Sequence, residues 1–347
     1  MAKFAMKPVD SEPRTLRPWG GVTKGPMTMV SKIKDAQGPL TSSDMDVKVA
    51  WLYHVEGMTQ EAIAKELQVS RIKIVRSLAR SIERNVVVTT INAASSEQIA
   101  LERQLEDRWG LESAIVVPTP HDPRHTERYI GHAVANFLNT NMNDGMTLAV
   151  GGGATLHSSL SFMHRRELKD ATVVGLVGSL PHSQWINPSI VASSMATRLG
   201  VNSYQITAPV LVDSADLCQR LWDQPLLHEV RVRAKEADLA LLTVGEIAET
   251  ATVFNYGIVP AETAEELRAQ QAVANILCYF IDAKGKLVDH EINSRIMALT
   301  PTEVAAIPRV VLAAGGRHKV EAIYAALRAV KTEVLVTDSQ TAGELLQ

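Results

Sequence analysis

Two patterns of hydrophobic and polar positions follow one another along the chain. Between residues 44 and 91, apolar side chains recur at the three- and four-residue intervals of short amphipathic helices. Beyond residue 113, short continuous apolar runs alternate with longer helical stretches. The second pattern is typical of a parallel sheet covered by helices on both faces. The sequence therefore predicts an α/β protein with a small helical domain followed by a larger one.

The first pattern predicts a winged helix-turn-helix over residues 43–92. A first helix covers Asp44–Val55, and Thr59 and Ser70 are good N-caps for a second and a third helix. The β-branched stretch Val86–Ile91 predicts a strand that forms one side of a wing.

The second pattern predicts one doubly wound, Rossmann-like effector domain over residues 113–347. Ser95 and Gln98 have capping-box spacing and predict a linker helix over residues 93–112 that leads into it. The predicted strands are Ala114–Val117, Leu148–Val150, Val173–Val177, Leu239–Val244, Val310–Ala313 and Val334–Val336. Helical stretches between them include Ile130–Leu138, Pro188–Leu199 and Lys319–Ala329.

Residues 1–42 show neither period. They contain five prolines, and seven Lys/Arg against three Asp/Glu. We expect a disordered basic leader, and a basic arm that touches DNA phosphates is the less favoured alternative.

Composition limits the classes of function. The 347 residues carry a net charge of −3, which excludes a positive field over the whole molecule, so a DNA-binding surface must be a local patch. The two cysteines suit a reducing compartment. No apolar run is long enough for a membrane span, and no secretory signal is present. A cytoplasmic protein without a membrane partner is expected.

The third predicted helix carries such a patch. Lys73, Arg76, Arg80 and Arg84 fall within about 80° of arc. The opposite, apolar face is formed by Ile74, Val75, Leu78 and Ile82. Residues 65–84 hold six Lys/Arg and two Glu, a local balance of +4. A basic helix after a capped helix and a tight turn favours binding in the major groove of double-stranded DNA over an ordinary solvated face. The candidate DNA-binding residues are Thr59, Gln60, Ser70, Arg71, Lys73, Arg76, Ser77 and Arg80.

Glycines follow two of the predicted strands and precede helices. Gly151-Gly152-Gly153 leads to Thr155, and Gly315-Gly316 leads to Lys319. Backbone N–H groups at such turns can approach an anion, so we predict a phosphate site between them. Tight packing alone also requires glycine there. A dinucleotide site is disfavoured because Leu156 stands where the third glycine of its fingerprint belongs.

Other reactive residues form no convincing catalytic or metal site. His121 and His125 lie four apart, but in a proline-containing loop. Cys218 and Cys278 are better explained as core residues, and no Gly-x-Ser-x-Gly elbow exists. No cofactor and no metal are expected.

Several segments together resemble the SorC family of sugar-binding bacterial transcriptional regulators. The resemblance covers residues 47–345 and is specific as an ensemble. It rests on residues 56–64 with Leu67 and Val69-Ser70-Arg71, Asp144-Gly145, the turn 151–155, Asn187-Pro188, Ala313-Ala314-Gly315-Gly316 with Lys319, Ala322 and Ile323, Leu335-Val336-Thr337-Asp338, and Ala342.

The resemblance implies a helix-turn-helix and an effector domain that looks like the sugar-phosphate isomerases. It implies that a sugar or sugar phosphate is sensed by a homo-oligomer, a tetramer or dimer. The phosphate would lie against the two glycine-rich turns, and Asn187 would contact the sugar. The candidate effector-binding residues are Gly152, Gly153, Ala154, Thr155, Ser179, Asn187, Asn275, Gly316 and Lys319.

The chain departs from the family pattern at several positions near this site. Gly178-Ser179 stands where two glycines are usual, and Thr243-Val244-Gly245 where Gly-Ile-Gly is frequent. Ala274-Asn275 replaces a glycine and an acid, and Cys278 replaces a glycine. These departures from the family pattern therefore predict an unusual effector.

Two functions from different classes are compatible with these observations. The favoured one is a DNA-binding regulator of a carbohydrate or polyol catabolic operon that is not an enzyme, whether repressor or activator. The alternative is a sugar-phosphate isomerase-like enzyme with an accessory DNA-binding domain, which would need a general base that the glycine-rich turns do not show. A nucleotide sensor is a weaker third candidate.

Overall fold

The computed structural model describes residues 42–83, 86–87, 93–180, 186–248 and 251–347. The chain divides into two compact units near residue 90. In the described ranges, no helix is both long and apolar enough to cross a membrane.

In its described residues, the N-terminal unit is a bundle of three helices. These are α1 (Ser42–His54), α2 (Gln60–Glu66) and α3 (Arg71–Glu83). The three predicted helices are thereby confirmed. Their shared core consists of Val49, Leu52, Ile63, Ala64, Ile74 and Leu78.

Two predictions at the edges of this unit fall largely outside the described residues. The predicted leader does so except for Ser42, where α1 begins. Of the predicted wing strand, Val86 and Val87 are described, and both form a bend whose N–H groups donate to the Ser81 carbonyl at 2.8 and 3.1 Å.

The C-terminal unit contains a parallel sheet and a small antiparallel sheet. In its described residues the strands are β1 (Ser113–Val117), β2 (Thr147–Val150), β3 (Thr172–Gly175), β4 (Asn202–Tyr204), β5 (Leu239–Leu242), β6 (Val244–Glu246), β7 (Ala272–Ile276), β8 (Tyr279–Asp282), β9 (Arg309–Ala313) and β10 (Val334–Asp338). The parallel sheet has the order β1-β10-β9-β5-β2-β3-β4 and the antiparallel sheet the order β6-β7-β8.

Helices cover both faces of the parallel sheet, as the continuous apolar runs predict. Leu148 and Val150 pack into one buried cluster, while Ala149 between them packs into the other. The helices are α4 (Ala93–Trp109), α5 (Thr126–Asn141), α6 (Ala154–Ser159), α7 (Pro188–Leu199), α8 (Ala215–Trp222), α9 (Pro225–Lys235), α10 (Thr252–Asn255), α11 (Thr263–Ala269), α12 (Pro301–Val304), α13 (Val320–Ala329) and α14 (Ser339–Leu345).

The helix predicted as a linker lies within the C-terminal unit. It is α4, which begins at Ala93, two residues before the predicted cap, and packs against β1 and α14. Leu105 on this helix is completely buried. The helix is therefore an outer layer of the C-terminal unit.

The order of the strands fixes where a ligand site can form. After β2 the chain continues to β3 and β4 on one side, whereas β5, β9 and β10 follow on the other side. The direction of winding thus reverses between β2 and β5. In open α/β sheets, ligands bind outside the carboxyl ends of the strands at this switch point.

The small antiparallel sheet was not predicted. The single apolar run Leu239–Val244 is divided between β5 and β6, because the chain leaves the parallel sheet at Thr243. Val244–Glu246 then pairs with β7, so that β6, β7 and β8 stand beside the switch point.

Candidate functional site

A cavity of about 360 Å³ lies at the switch point. This volume is at the lower end of the range of small-molecule sites, about 300–1,000 Å³. The turns that follow β2, β5 and β9 contribute to its wall, and so does the small antiparallel sheet. Its described polar lining consists of Glu127, Gly152, Gly153, Thr155, Thr243, Gly245, Glu246, Thr252, Asn275, His318 and Lys319.

In the turn after β2, residues 151–155, the positions of Gly152 and Gly153 are packed too closely for side chains. A Cβ on Gly152 would lie 2.7 Å from Cγ of Pro188, and one on Gly153 would lie 2.9 Å from Oγ1 of Thr243. Gly153 also has a φ of +111°, which L side chains rarely adopt. The hydroxyl of Thr243 donates to the carbonyl of Gly152 at 2.8 Å and fixes the turn.

The turn after β9, residues 314–319, is held by the end of β10. The N–H of Gly316 donates to Oδ2 of Asp338 at 2.8 Å, with Oγ1 of Thr341 at 2.9 Å. This N–H is therefore already satisfied within the protein. The short 3₁₀ turn Arg317–Lys319 that follows carries His318 and Lys319 to the cavity.

Asp338 is a buried anion that organises this region. Burial alone would raise the pKa of its carboxyl group, but hydrogen bonds from Thr341, Thr119 and the N–H groups of Gly316 and Thr341 together lower the pKa below its ordinary value of 3.8. The Thr119 hydroxyl lies at 2.7 Å and the Thr341 hydroxyl at 2.6 Å. Asp338 therefore ties the turn after β9 to the loop after β1.

Six of the nine predicted effector-binding residues meet at the cavity. Gly152, Gly153, Ala154, Thr155, Asn275 and Lys319 all line it, although Asn275 and Lys319 are distant from the others in sequence.

The other three have internal partners and do not line the cavity. Asn187 caps α7: its side chain accepts from the Ser189 N–H at 3.2 Å and donates to the Leu180 carbonyl at 2.7 Å. Oγ of Ser179 lies 3.0 Å from Oγ of Ser189. The N–H of Gly316 is taken up in the turn after β9. The structure therefore does not bring these three residues into the described lining of the cavity, and effector binding by them stays a prediction.

Several residues of the cavity were not identified from the sequence. Glu127 and Glu246 bring carboxylates, and His318 brings a second basic side chain beside Lys319. Only His318 had a local signal, because it directly precedes a predicted residue. The two glutamates come from α5 and β6, and their proximity depends on a strand order that the sequence pattern does not specify.

In the N-terminal unit, α3 exposes Arg71, Lys73 and Arg76, which we call the basic face. Ile72, with 64% of its surface accessible, and Val75, with 46%, are exposed on the same helix. Val75 had been predicted on the apolar face, so the buried side of α3 is rotated relative to the prediction.

The other two candidates on α3, Ser77 and Arg80, hold this helix against α1. Ser77 is fully buried, and its hydroxyl donates to Oδ1 of Asp46 at 2.6 Å. Arg80 forms an ion pair with Asp46, with Nη2 at 2.8 Å from Oδ1. Because Asp46 is fully buried on α1, these contacts fasten α3 to α1 and remove Ser77 from the basic face.

The remaining candidates in this unit stand at the starts of helices. Oγ1 of Thr59 accepts from the Ala62 N–H at 3.2 Å, and Oγ of Ser70 accepts from the Lys73 N–H at 3.3 Å. Both residues are exposed, and Gln60 is half-buried. Their capping role agrees with the helix starts that the sequence predicts.

No group of three or more His, Cys, Asp or Glu side chains in the described ranges is arranged to hold a metal ion.

Comparison with known proteins identifies the family. Residues 94–347 match a protein family described as "Putative sugar-binding domain". The erythritol catabolism regulatory protein EryD of Brucella abortus is 30% identical over 86% of this chain and 95% of its own length. The transcriptional regulator LsrR of Klebsiella pneumoniae is 31% identical over 88% of this chain and 94% of its own length.

A solved structure agrees in fold over both units. The full-length sorbitol operon regulator SorC from Klebsiella pneumoniae superposes with a TM-score of 0.67 at 24% identity, over 87% of this chain and 98% of that one. The chain belongs to the SorC family of sugar-binding transcriptional regulators. The predicted family is thereby confirmed.

Proposed function

We propose that this protein is a DNA-binding transcriptional regulator of a carbohydrate or polyol catabolic operon, controlled by a phosphorylated sugar or polyol. The proposal rests on an exposed basic face on a helix-turn-helix, combined with a small cavity at the switch point of a second unit that has both polar and apolar walls. The relatives support a regulator and not an enzyme, since EryD and LsrR are both named as regulators.

The chemistry of the cavity favours a ligand with one anionic group and several hydroxyls. Lys319 supplies a positive charge to the cavity, and the turn at Gly152–Thr155 supplies backbone to the same cavity. A phosphate accepts charge-assisted hydrogen bonds from such groups. Glu127, Glu246 and Asn275 provide acceptors for hydroxyl groups on the remainder of the ligand.

The basic face supports binding to double-stranded operator DNA. Arg71, Lys73 and Arg76 are exposed on α3, and Ser77 and Arg80 of the same helix fix it to α1 through Asp46. A recognition helix held in this way can enter the major groove. We further propose a homo-oligomer, a dimer or tetramer, because two helix-turn-helix units bind two half-sites of an operator.

We expect a phosphorylated sugar or polyol to raise the melting temperature of the protein, while its unphosphorylated form has little effect. A ligand that binds only the folded state stabilises that state by mass action. Replacing Lys319 with alanine should weaken phosphate binding by about 1.5–3 kcal/mol, the range for a hydrogen bond to a charged group. The measurement is a thermal-shift panel in phosphate-free buffer.

Lys286→Ala is the matched control, because this exposed lysine lies outside the cavity. It should retain the full shift. A panel in which only unphosphorylated sugars raise the melting temperature, equally in wild type and Lys319→Ala, would exclude the phosphate site.

A further inference from the structure

An unusual turn stands on the wall of the cavity. Strands β7 and β8 are joined by only two residues, Leu277 and Cys278, because Ile276 already pairs with Tyr279. Both turn residues have positive φ values, +52° and +69°. Two-residue turns of this kind strongly favour asparagine and glycine, which reach such angles at low cost. Here a β-hairpin uses a leucine and a cysteine instead.

Both side chains belong to the cavity. Leu277 and Cys278 line it, and Leu277 is buried. A Cβ on Gly151 would lie only 3.1 Å from Cδ2 of Leu277. The turn therefore reaches across to the glycine-rich turn after β2, where we place the anionic end of the effector.

The wall formed by this turn is apolar. Burial raises the pKa of the Cys278 thiol to about 12, so the thiol stays neutral at physiological pH. Leu277 adds a branched hydrocarbon group. Neither side chain can act as a strong acceptor for a ligand hydroxyl.

A connection between two strands does not by itself require these side chains. Left-handed backbone at a residue other than glycine costs about 1–2 kcal/mol, and such strain tends to persist at ligand sites. Gln271, directly before β7, also has a positive φ of +62°, but it is exposed and does not line the cavity.

We propose that the Leu277–Cys278 turn determines which effectors fit, by forming an apolar wall that limits the length of the ligand beside the glycine-rich turn. The inference rests on the proposed function, since it concerns the selectivity of the same cavity. In this proposal, Cys278 contributes to specificity through the size of its side chain.

The test is the substitution Cys278→Gly, which removes the side chain without demanding a new backbone conformation. Calorimetric titration with erythritol 4-phosphate and sorbitol 6-phosphate compares a four-carbon with a six-carbon ligand. We expect the ratio of their dissociation constants to shift about tenfold towards the longer ligand, the scale of a change of one or two carbon atoms in a pocket. The melting temperature should stay equal or rise, because the strain is removed.

Two control variants separate size from strain and polarity. Gln271→Gly removes a positive φ at a residue other than glycine outside the cavity, and should leave the ratio unchanged. Cys278→Ser keeps a side chain of similar size and should also keep the wild-type ratio. Leu277→Ala is a second variant that enlarges the cavity at the same wall.

Two results separate a failure of the proposed role of the turn from a failure of the proposed function. If wild type binds either ligand and neither Cys278→Gly nor Leu277→Ala changes the ratio, the inference is overturned and the proposed function stands. If wild type and all variants bind neither ligand nor any other member of the thermal-shift panel, both the proposed function and the proposed role of the turn are excluded.

Discussion

Replacing Asp46 with alanine is expected to destabilise the helix-turn-helix by about 3 kcal/mol. The Asp46 carboxylate is fully buried and accepts from Oγ of Ser77 at 2.6 Å and from Nε and Nη2 of Arg80 at 3.1 and 2.8 Å. Its removal takes this acceptor away from a buried hydroxyl and from a guanidinium group. We expect the lower end of the usual range because the Arg80 side chain is 33% exposed and water compensates in part.

The loss should be local, so it is best measured by hydrogen exchange on the full chain. Amides of α1 and α3 should exchange faster in Asp46→Ala, while those of the parallel sheet keep their protection. Glu66→Ala is the matched control, because it removes an exposed carboxylate from α2 of the same unit. Equal protection of α1 and α3 in the two variants would contradict the proposed role of the buried carboxylate.

Replacing both Lys73 and Arg76 with alanine is expected to weaken operator binding by about a hundredfold at moderate salt. Both side chains are exposed on the basic face. A contact to a base or phosphate is worth about 1–3 kcal/mol, so two of them reach this magnitude. If both residues contact phosphates, the slope of log affinity against log salt should fall by about two.

The measurement is fluorescence anisotropy of labelled operator DNA over a series of salt concentrations. The control is the double variant Lys284→Ala with Lys286→Ala, which removes the same charge from exposed positions of the effector domain. It should bind as wild type does. An unchanged affinity and slope in Lys73→Ala with Arg76→Ala would exclude the basic face as the DNA-binding surface.

The class of fold follows from the sequence because burial on both faces imposes continuous apolar runs. The runs at Leu148–Val150 and Val310–Ala313 lie in β2 and β9, at the centre of the parallel sheet. The order of the strands has no such local signal. For this reason the sequence located the glycine-rich turns but not Glu127 or Glu246, which reach the cavity only through that order.

Asn187 shows why polar site residues are harder to assign than glycines. The Asn187-Pro188 pair has two explanations, a ligand contact and a helix cap, and both require a polar side chain at that position. In the structure its amide is occupied by the backbone of α7 and of Leu180. The sequence contains no information on which hydrogen-bond partner a side chain finds.

Ser77 shows the corresponding limit for a helix face. The 3.6-residue period gives the width of the basic and apolar faces of α3, but their rotation depends on the neighbouring helix. The buried Asp46 on α1 draws Ser77 and Arg80 inwards and leaves Val75 exposed. A single buried carboxylate thus shifts the boundary between the two faces.

Control of operator binding by a ligand in the cavity can be measured as the coupling between the two binding events. Operator affinity should be measured by anisotropy with and without the ligand that gives the largest thermal shift. We expect a change of about 5- to 150-fold, matched by an equal change in the affinity for the ligand when operator is bound. Lys319→Ala should bind operator as wild type does but lose the change. An operator affinity that is the same with and without a saturating ligand would contradict control of operator binding by this ligand.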